Sequence, residues 1–138
     1  MMTQSLTVEG TITAVDTATN LQSQGSTTSP TRIVPSGVSV IRRMIIGASS
    51  DAGADGSATY LLTLSGIGVP GGPHNLIIGA QGAQLVETGA DSPGYSPQRL
   101  VLDGLNMPVR TGAQIDFTAE MMGADNGTVQ VIVTAFFA

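Results

Sequence analysis

Nowhere in this chain do apolar residues recur every three or four positions for long enough to make a helix. Gly, Pro, Ser and Thr interrupt the sequence at short intervals, and between them lie segments of three to twelve residues, most of them rich in β-branched side chains. Such segments between turn formers fold as strands. The spacing predicts strands over residues 5–9, 10–16, 32–34, 38–49, 58–64, 75–80, 84–87, 99–102, 114–121 and 128–137. Residues 20–30 are polar and Ser/Thr-rich and read as a loop or an arm that orders on a partner. Residues 66–73 (GIGVPGGP) and 91–97 (DSPGYSP) are expected to lie outside regular structure, because Pro and Gly break ladders and helices alike. Asn126-Gly127 between two strong segments is a short-hairpin signal, since both residues tolerate positive φ. Eight or more strands with long connections point to an all-β, two-sheet antiparallel sandwich, jelly-roll-like, with 1–138 as a single domain. Residues 1–30 would supply an N-terminal arm or extra strands.

Alternation within the strands marks their faces. In the last strand Val129, Val131, Val133 and Ala135 share one face, while Gln130, Ile132, Thr134 and Phe136 share the other. Both faces carry apolar groups near the C-terminal end, as expected of a strand covered on both sides. Ile115, Phe117 and Ala119 alternate with polar Gln114, Asp116, Thr118 and Glu120, a half-buried pattern. The adjacent pairs Met121-Met122 and Phe136-Phe137 must each send one side chain out of its own sheet's core. The outward member is buried either against another subunit or beneath a loop of the same chain. These four residues, with the exposed-looking pair Arg42-Arg43, are the candidate interface residues.

A length of 138 residues suffices for a core without disulfides or metals, and there is no cysteine. Only 11% of residues are charged, against the roughly 25% usual for soluble domains. The five basic residues, Arg32, Arg42, Arg43, Arg99 and Arg110, are all arginine, and there are sixteen Thr and twelve Ser. A surface this neutral suits a protein whose faces are covered by neighbours. The net charge of −5 argues against direct nucleic-acid binding, which needs clustered cations. No signal peptide is visible in the N-terminal residues, and no apolar run is long enough for a membrane span.

Chemistry finds little support. His74 is the one histidine, without a surrounding motif that supplies a nucleophile and an orienting acid. The stretch 66–71 fits G-x-G-x-x-G, but a strand and not a helix follows, so no dinucleotide site is expected. Asp51 and Asp55 sit in a loop that resembles the start of a calcium loop, yet its third position is Gly53 and its twelfth is Leu62, which excludes an EF-hand. A looser metal site at Asp51 and Asp55 stays open beside the plainer reading of a polar turn. Asn126-Gly127-Thr128 is a glycosylation sequon in that same expected hairpin. With no tryptophan to stack a sugar, glycosidase and lectin readings lose ground. No enzyme activity and no cofactor are expected.

The run from Thr111 to Phe137, TGAQIDFTAEMMGADNGTVQVIVTAFF, resembles the closing strands of viral single jelly-roll capsid and decoration proteins. In those a strand opening on Thr-Gly is followed by a Gly/Asn turn and a final apolar strand. Residues 38–46, the loop 50–56 and residues 59–64 are similar to their earlier strand pair, so the likeness spans about residues 32–138. It implies a virion structural protein, self-assembling as trimers or pentamers and in contact with other shell proteins. No functional residue carries over from it. The lack of a basic arm departs from capsid proteins that package nucleic acid, and favours an outer decoration, spike-base or cement subunit, or a capsid protein whose lumen is lined by another molecule. The alternative is a calcium-dependent carbohydrate- or cell-surface-binding β-sandwich module using Asp51 and Asp55.

Overall fold

A computed structural model describes residues 4–12, 17–23, 32–50, 57–81, 83–84, 95–96, 98–122 and 129–138. In chain order the strands are β1 (Gln4–Ile12), β2 (Thr19–Asn20), β3 (Gln22–Ser23), β4 (Arg32–Ile33), β5 (Val40–Ser50), β6 (Ser57–Ser65), β7 (His74–Gln81), β8 (Ala83–Gln84), β9 (Tyr95–Ser96), β10 (Gln98–Leu102), β11 (Met107–Pro108), β12 (Gln114–Met122) and β13 (Val129–Phe137). Every pairing among them is antiparallel.

Two sheets face each other. The larger runs β10-β5-β13-β1-β3, with β11 also on β5; the smaller runs β2-β12-β6-β7, with β4 also on β12. A simple rule generates this order. The chain behaves as a long ribbon folded back on itself, pairing β1 with β13, β2 and β4 with β12, β5 with β10, and β6 with β7. Rolling that ribbon brings β13 beside β5 and β12 beside β6, which closes the two sheets. This double Greek-key winding is the jelly roll, and the all-β sandwich expected from the sequence is the fold observed.

The winding also corrects several sequence expectations. β12 and β13 do not form a hairpin: β12 lies in the smaller sheet and β13 in the larger, so the connection through Asn126-Gly127 crosses between sheets. That turn itself, like Asp51 and Asp55, lies outside the described residues. Tyr95-Ser96 forms a short strand with β8 where no regular structure was expected. Asn20 and residues 22–23 are strand residues, in a stretch read as loop or arm. The two strands expected over 5–9 and 10–16 are one strand as far as Ile12, uninterrupted at Gly10. A β-carbon on Gly10 would stand 2.8 Å from Leu21 Cδ2, so the missing side chain makes room for a core leucine.

The core lies between the sheets. Val8 and Ile12 of β1, Ile41, Met44 and Ile46 of β5, and Val131, Val133, Ala135 and Phe137 of β13 point inward from the larger sheet. Tyr60, Leu62 and Leu64 of β6 face them with Ile115, Phe117, Ala119 and Met121 of β12. The turn 66–73 between β6 and β7 explains the glycine pattern that mimics a nucleotide loop. Gly68 donates its N–H to the Gln114 carbonyl at 2.6 Å, and a β-carbon there would lie 2.7 Å from that same oxygen. Gly66 adopts φ 104° and stands equally close to the β12 backbone. These glycines let one main chain approach another, which is a packing requirement and not a phosphate cradle.

Tyr60 is fully buried, and its hydroxyl has no hydrogen-bond partner among the described residues. Burial pushes that hydroxyl up to about 12, from an ordinary value near ~10. The native state therefore keeps the phenol neutral where the unfolded chain has begun to ionise. Stability from this group is complete below pH ~10 and is lost as pH rises toward the folded value. Tyr60→Phe removes an unpaired polar atom from the core and is expected to be neutral or stabilising at neutral pH. Its denaturation midpoint should also fall less than that of wild type when pH is raised from about 8 to about 11.

Candidate assembly surface

Phe137 and Met121 are fully buried in the chain's own core, so neither side chain is available to a partner in this fold. The reason is parity: Phe137 continues the inward series of Val131, Val133 and Ala135, and Met121 continues that of Ile115, Phe117 and Ala119. Phe136 is the outward member of its pair and is half-buried on the outer face of the larger sheet. Met122 ends β12, and its side chain lies outside the described residues.

Arg42 and Arg43 are both exposed although they are neighbours in one strand. A β-bulge accounts for this. Phe136 pairs with Arg43 while Phe137 pairs with Ile41, which leaves Arg42 as the extra residue on β5. The Leu105 N–H donates to the Arg42 carbonyl at 2.8 Å and fixes the bulged peptide. The Arg43 guanidinium lies over the Phe136 ring, 5.8 Å from its centroid, in cation–π range.

Register lays out the rest of this outer face. One row across the sheet reads Val101, Ile45, Thr134, Thr7; the next reads Arg99, Gly47, Ile132, Glu9; on the other side lie Arg43, Phe136 and Ser5. Val101 is 43% exposed and Ile132 46%, with Ile45 half-buried between them. The Thr7 and Thr134 hydroxyls hydrogen-bond each other at 3.0 Å, which removes part of their demand for water. The result is a contiguous patch of Ile45, Val101, Ile132 and Phe136, rimmed by Arg43 and Arg99. An apolar patch with a polar rim is the usual mark of a protein contact surface. Sequence reasoning placed Ile132 and Phe136 on one face of β13. It did not bring Val101, Ile45 or Arg99 to them, because cross-strand register is not written in any one segment.

His74 opens β7 opposite Leu64, half-buried, and its Nε2 has no hydrogen-bond partner among the described residues. Arg32 is almost wholly buried; its Nη2 donates to the Leu21 carbonyl at 3.2 Å. Burial lowers its pKa, and the nearby Asp116 carboxylate partly offsets that. Arg32 thus ties β4 to the residue between β2 and β3, a structural role that the sequence did not reveal. Among the described residues no group of three His, Cys, Asp or Glu could hold a metal. A groove of about 450 Å³ is lined by Glu9, Gly10, Thr11, Thr19, Asn20 and Gln22 with residues of β13. Among the described residues it presents hydroxyls, amides and the Glu9 carboxylate, and no aromatic side chain. Among the described residues no helix is long and apolar enough to cross a membrane.

No family model matches the sequence, and no curated protein does. Among solved structures the chain is similar to the PRD1 vertex protein P5, at 13% identity over 95% of this chain and 94% of that one, with a TM-score of 0.41. It is also similar to a chain of the cyanophage Pam1 capsid asymmetric unit, at 16% identity over 99% and 85%, with a TM-score of 0.41. A third similarity, to a chain of infectious bursal disease virus strain Gt, has 10% identity over 99% and 36%, with a TM-score of 0.32. None of these likenesses is close enough to assign a function.

Proposed function

We propose that this chain is a virion structural subunit, a capsid, decoration or cement protein, that works by assembling with copies of itself and with other shell proteins. The observation that carries the reading is the outer face of the larger sheet, where Val101 and Ile132 are exposed and Ile45 and Phe136 are half-buried beside them. Jelly rolls serve chiefly as viral shells and as ligand-binding or metal-binding domains. Metal chemistry on such a sandwich needs a cluster of ligands, and the whole sequence offers one histidine and no cysteine. A sugar site ordinarily presents a stacking aromatic, and the groove beside Glu9 has none. A shell subunit, by contrast, needs only faces and edges that fit its neighbours, and the neutral surface supplies those.

The groove is the feature that favours the second reading, a carbohydrate- or cell-surface-binding module. Calcium at Asp51 and Asp55 belongs to that reading, and a calorimetric titration with calcium that gives no heat removes it. The shell reading is tested by negative-stain imaging of the purified protein. Closed rings or particles of uniform size are expected. A field of isolated small domains at every concentration contradicts the proposal.

A further inference from the structure

Among the described residues the sandwich has four sheet edges, and three of them are short or charged. The larger sheet ends on the two-residue β3 at one side, and on the other on β10, which carries Arg99, and two-residue β11. The smaller sheet ends at one side on β2 and β4, two residues each. Its other edge is β7, eight residues of sequence HNLIIGAQ, paired along its whole length with β6 on one side only. It contains no proline, no Asp, Glu, Lys or Arg, and no break in its register. Natural edges are usually shortened, charged, bulged or covered, because their free N–H and C=O groups are a template for another strand. Among the described residues this one has none of those defences. On it Ile77 is 68% exposed, and Leu76 packs only in part against the core.

We propose that β7 pairs antiparallel with β7 of a second copy across a two-fold axis at Ile77, joining the two smaller sheets into one. This rests on the assembly reading above and names one of its contacts. A strand pairing with itself sets each residue opposite its counterpart about the centre. Like charges opposite each other would forbid that, and β7 presents no carboxylate, lysine or arginine. With the axis at Ile77, the exposed isoleucine meets its own equivalent, Asn75 faces position 79, and Leu76 faces position 78 of the second copy. Two-fold contacts of this kind are isologous, so one uncharged patch completes the contact. Backbone hydrogen bonds along an eight-residue strand supply the affinity, as in other strand-addition complexes. Such a contact is small beside a standard interface. It therefore adds to the outer-face contact in a multivalent assembly instead of holding a permanent dimer alone.

The chain has no cysteine, so a single introduced thiol reports the geometry without background. Residues facing each other in an antiparallel pair have Cα atoms about 4.5–5.5 Å apart, within disulfide reach. Full-length Ile77→Cys is oxidised under mild conditions, with Ile67→Cys as the control, since Ile67 is exposed on the neighbouring turn. Disulfide-linked dimers are expected from Ile77→Cys at a rate at least about tenfold above the control, reflecting the effective concentration of a paired strand. Equal rates overturn the proposal. Native mass of both variants, measured before oxidation, separates the two levels. An assembled protein with no preferential link at residue 77 removes the edge pairing and leaves the assembly reading. A monomeric protein removes both.

Discussion

Phe137→Asp is expected to leave no folded protein. Phe137 is fully buried at the end of β13, opposite Ile41 of β5. Removing a buried phenylalanine costs about 3–5 kcal/mol through lost apolar burial and the cavity left behind. A carboxylate placed there has no described partner and adds its own desolvation cost of several kcal/mol. The sum is on the order of the whole stability of an ordinary domain. Far-UV circular dichroism and a denaturant titration check this: a cooperative transition retained in Phe137→Asp would contradict the core assignment. Phe137 was a candidate interface residue from the sequence, and the strand's parity places it in the core instead.

Ile132→Lys is the complementary case, with a folded monomer that no longer assembles. Ile132 is 46% exposed and pairs with Glu9 on one side and Gly47 on the other. A lysine here can extend along the sheet toward Glu9, and surface changes of this kind move stability by about 0.5 kcal/mol or less. In an interface the effect is much larger. The substitution removes the most exposed apolar member of the patch shared with Ile45, Val101 and Phe136 and obliges a partner to bury an ammonium group. A loss of roughly 100-fold in association, about 2.7 kcal/mol, is expected. Sedimentation velocity reads the shift to slower species, and the thermal midpoint reports whether the fold is kept.

These two substitutions mark how far the sequence reaches. The alternation of Val131, Val133 and Ala135 against Gln130, Ile132 and Thr134 made β13 legible, as Ile115, Phe117 and Ala119 did β12. Which face of β13 meets the core was not legible, because apolar residues occur on both. The inward side of the Phe136-Phe137 pair became clear only when β13 was seen between β1 and β5. The two-residue strands β2, β3 and β11 leave no periodic trace, since two residues cannot alternate, whereas β4 falls within the strand expected over 32–34. Their positions follow from main-chain pairing with longer strands. The Asn126-Gly127 signal misled because hairpin chemistry is local, whereas the jelly roll sends β12 and β13 to different sheets. The bulge at Arg42 was equally hidden, since it is a mismatch between two strands ninety-odd positions apart in the chain. The assembly patch draws its residues from β5, β10 and β13, so no single segment could reveal it.

The central claim is that this protein functions through contacts between copies, and native molar mass by light scattering tests it most directly. Wild type and Ile132→Lys are measured side by side over a range of concentrations. The account predicts a discrete closed oligomer for wild type and a folded monomer or smaller species for the variant. A wild type that stays monomeric at the highest concentration, or a variant whose mass matches an assembled wild type, would contradict it.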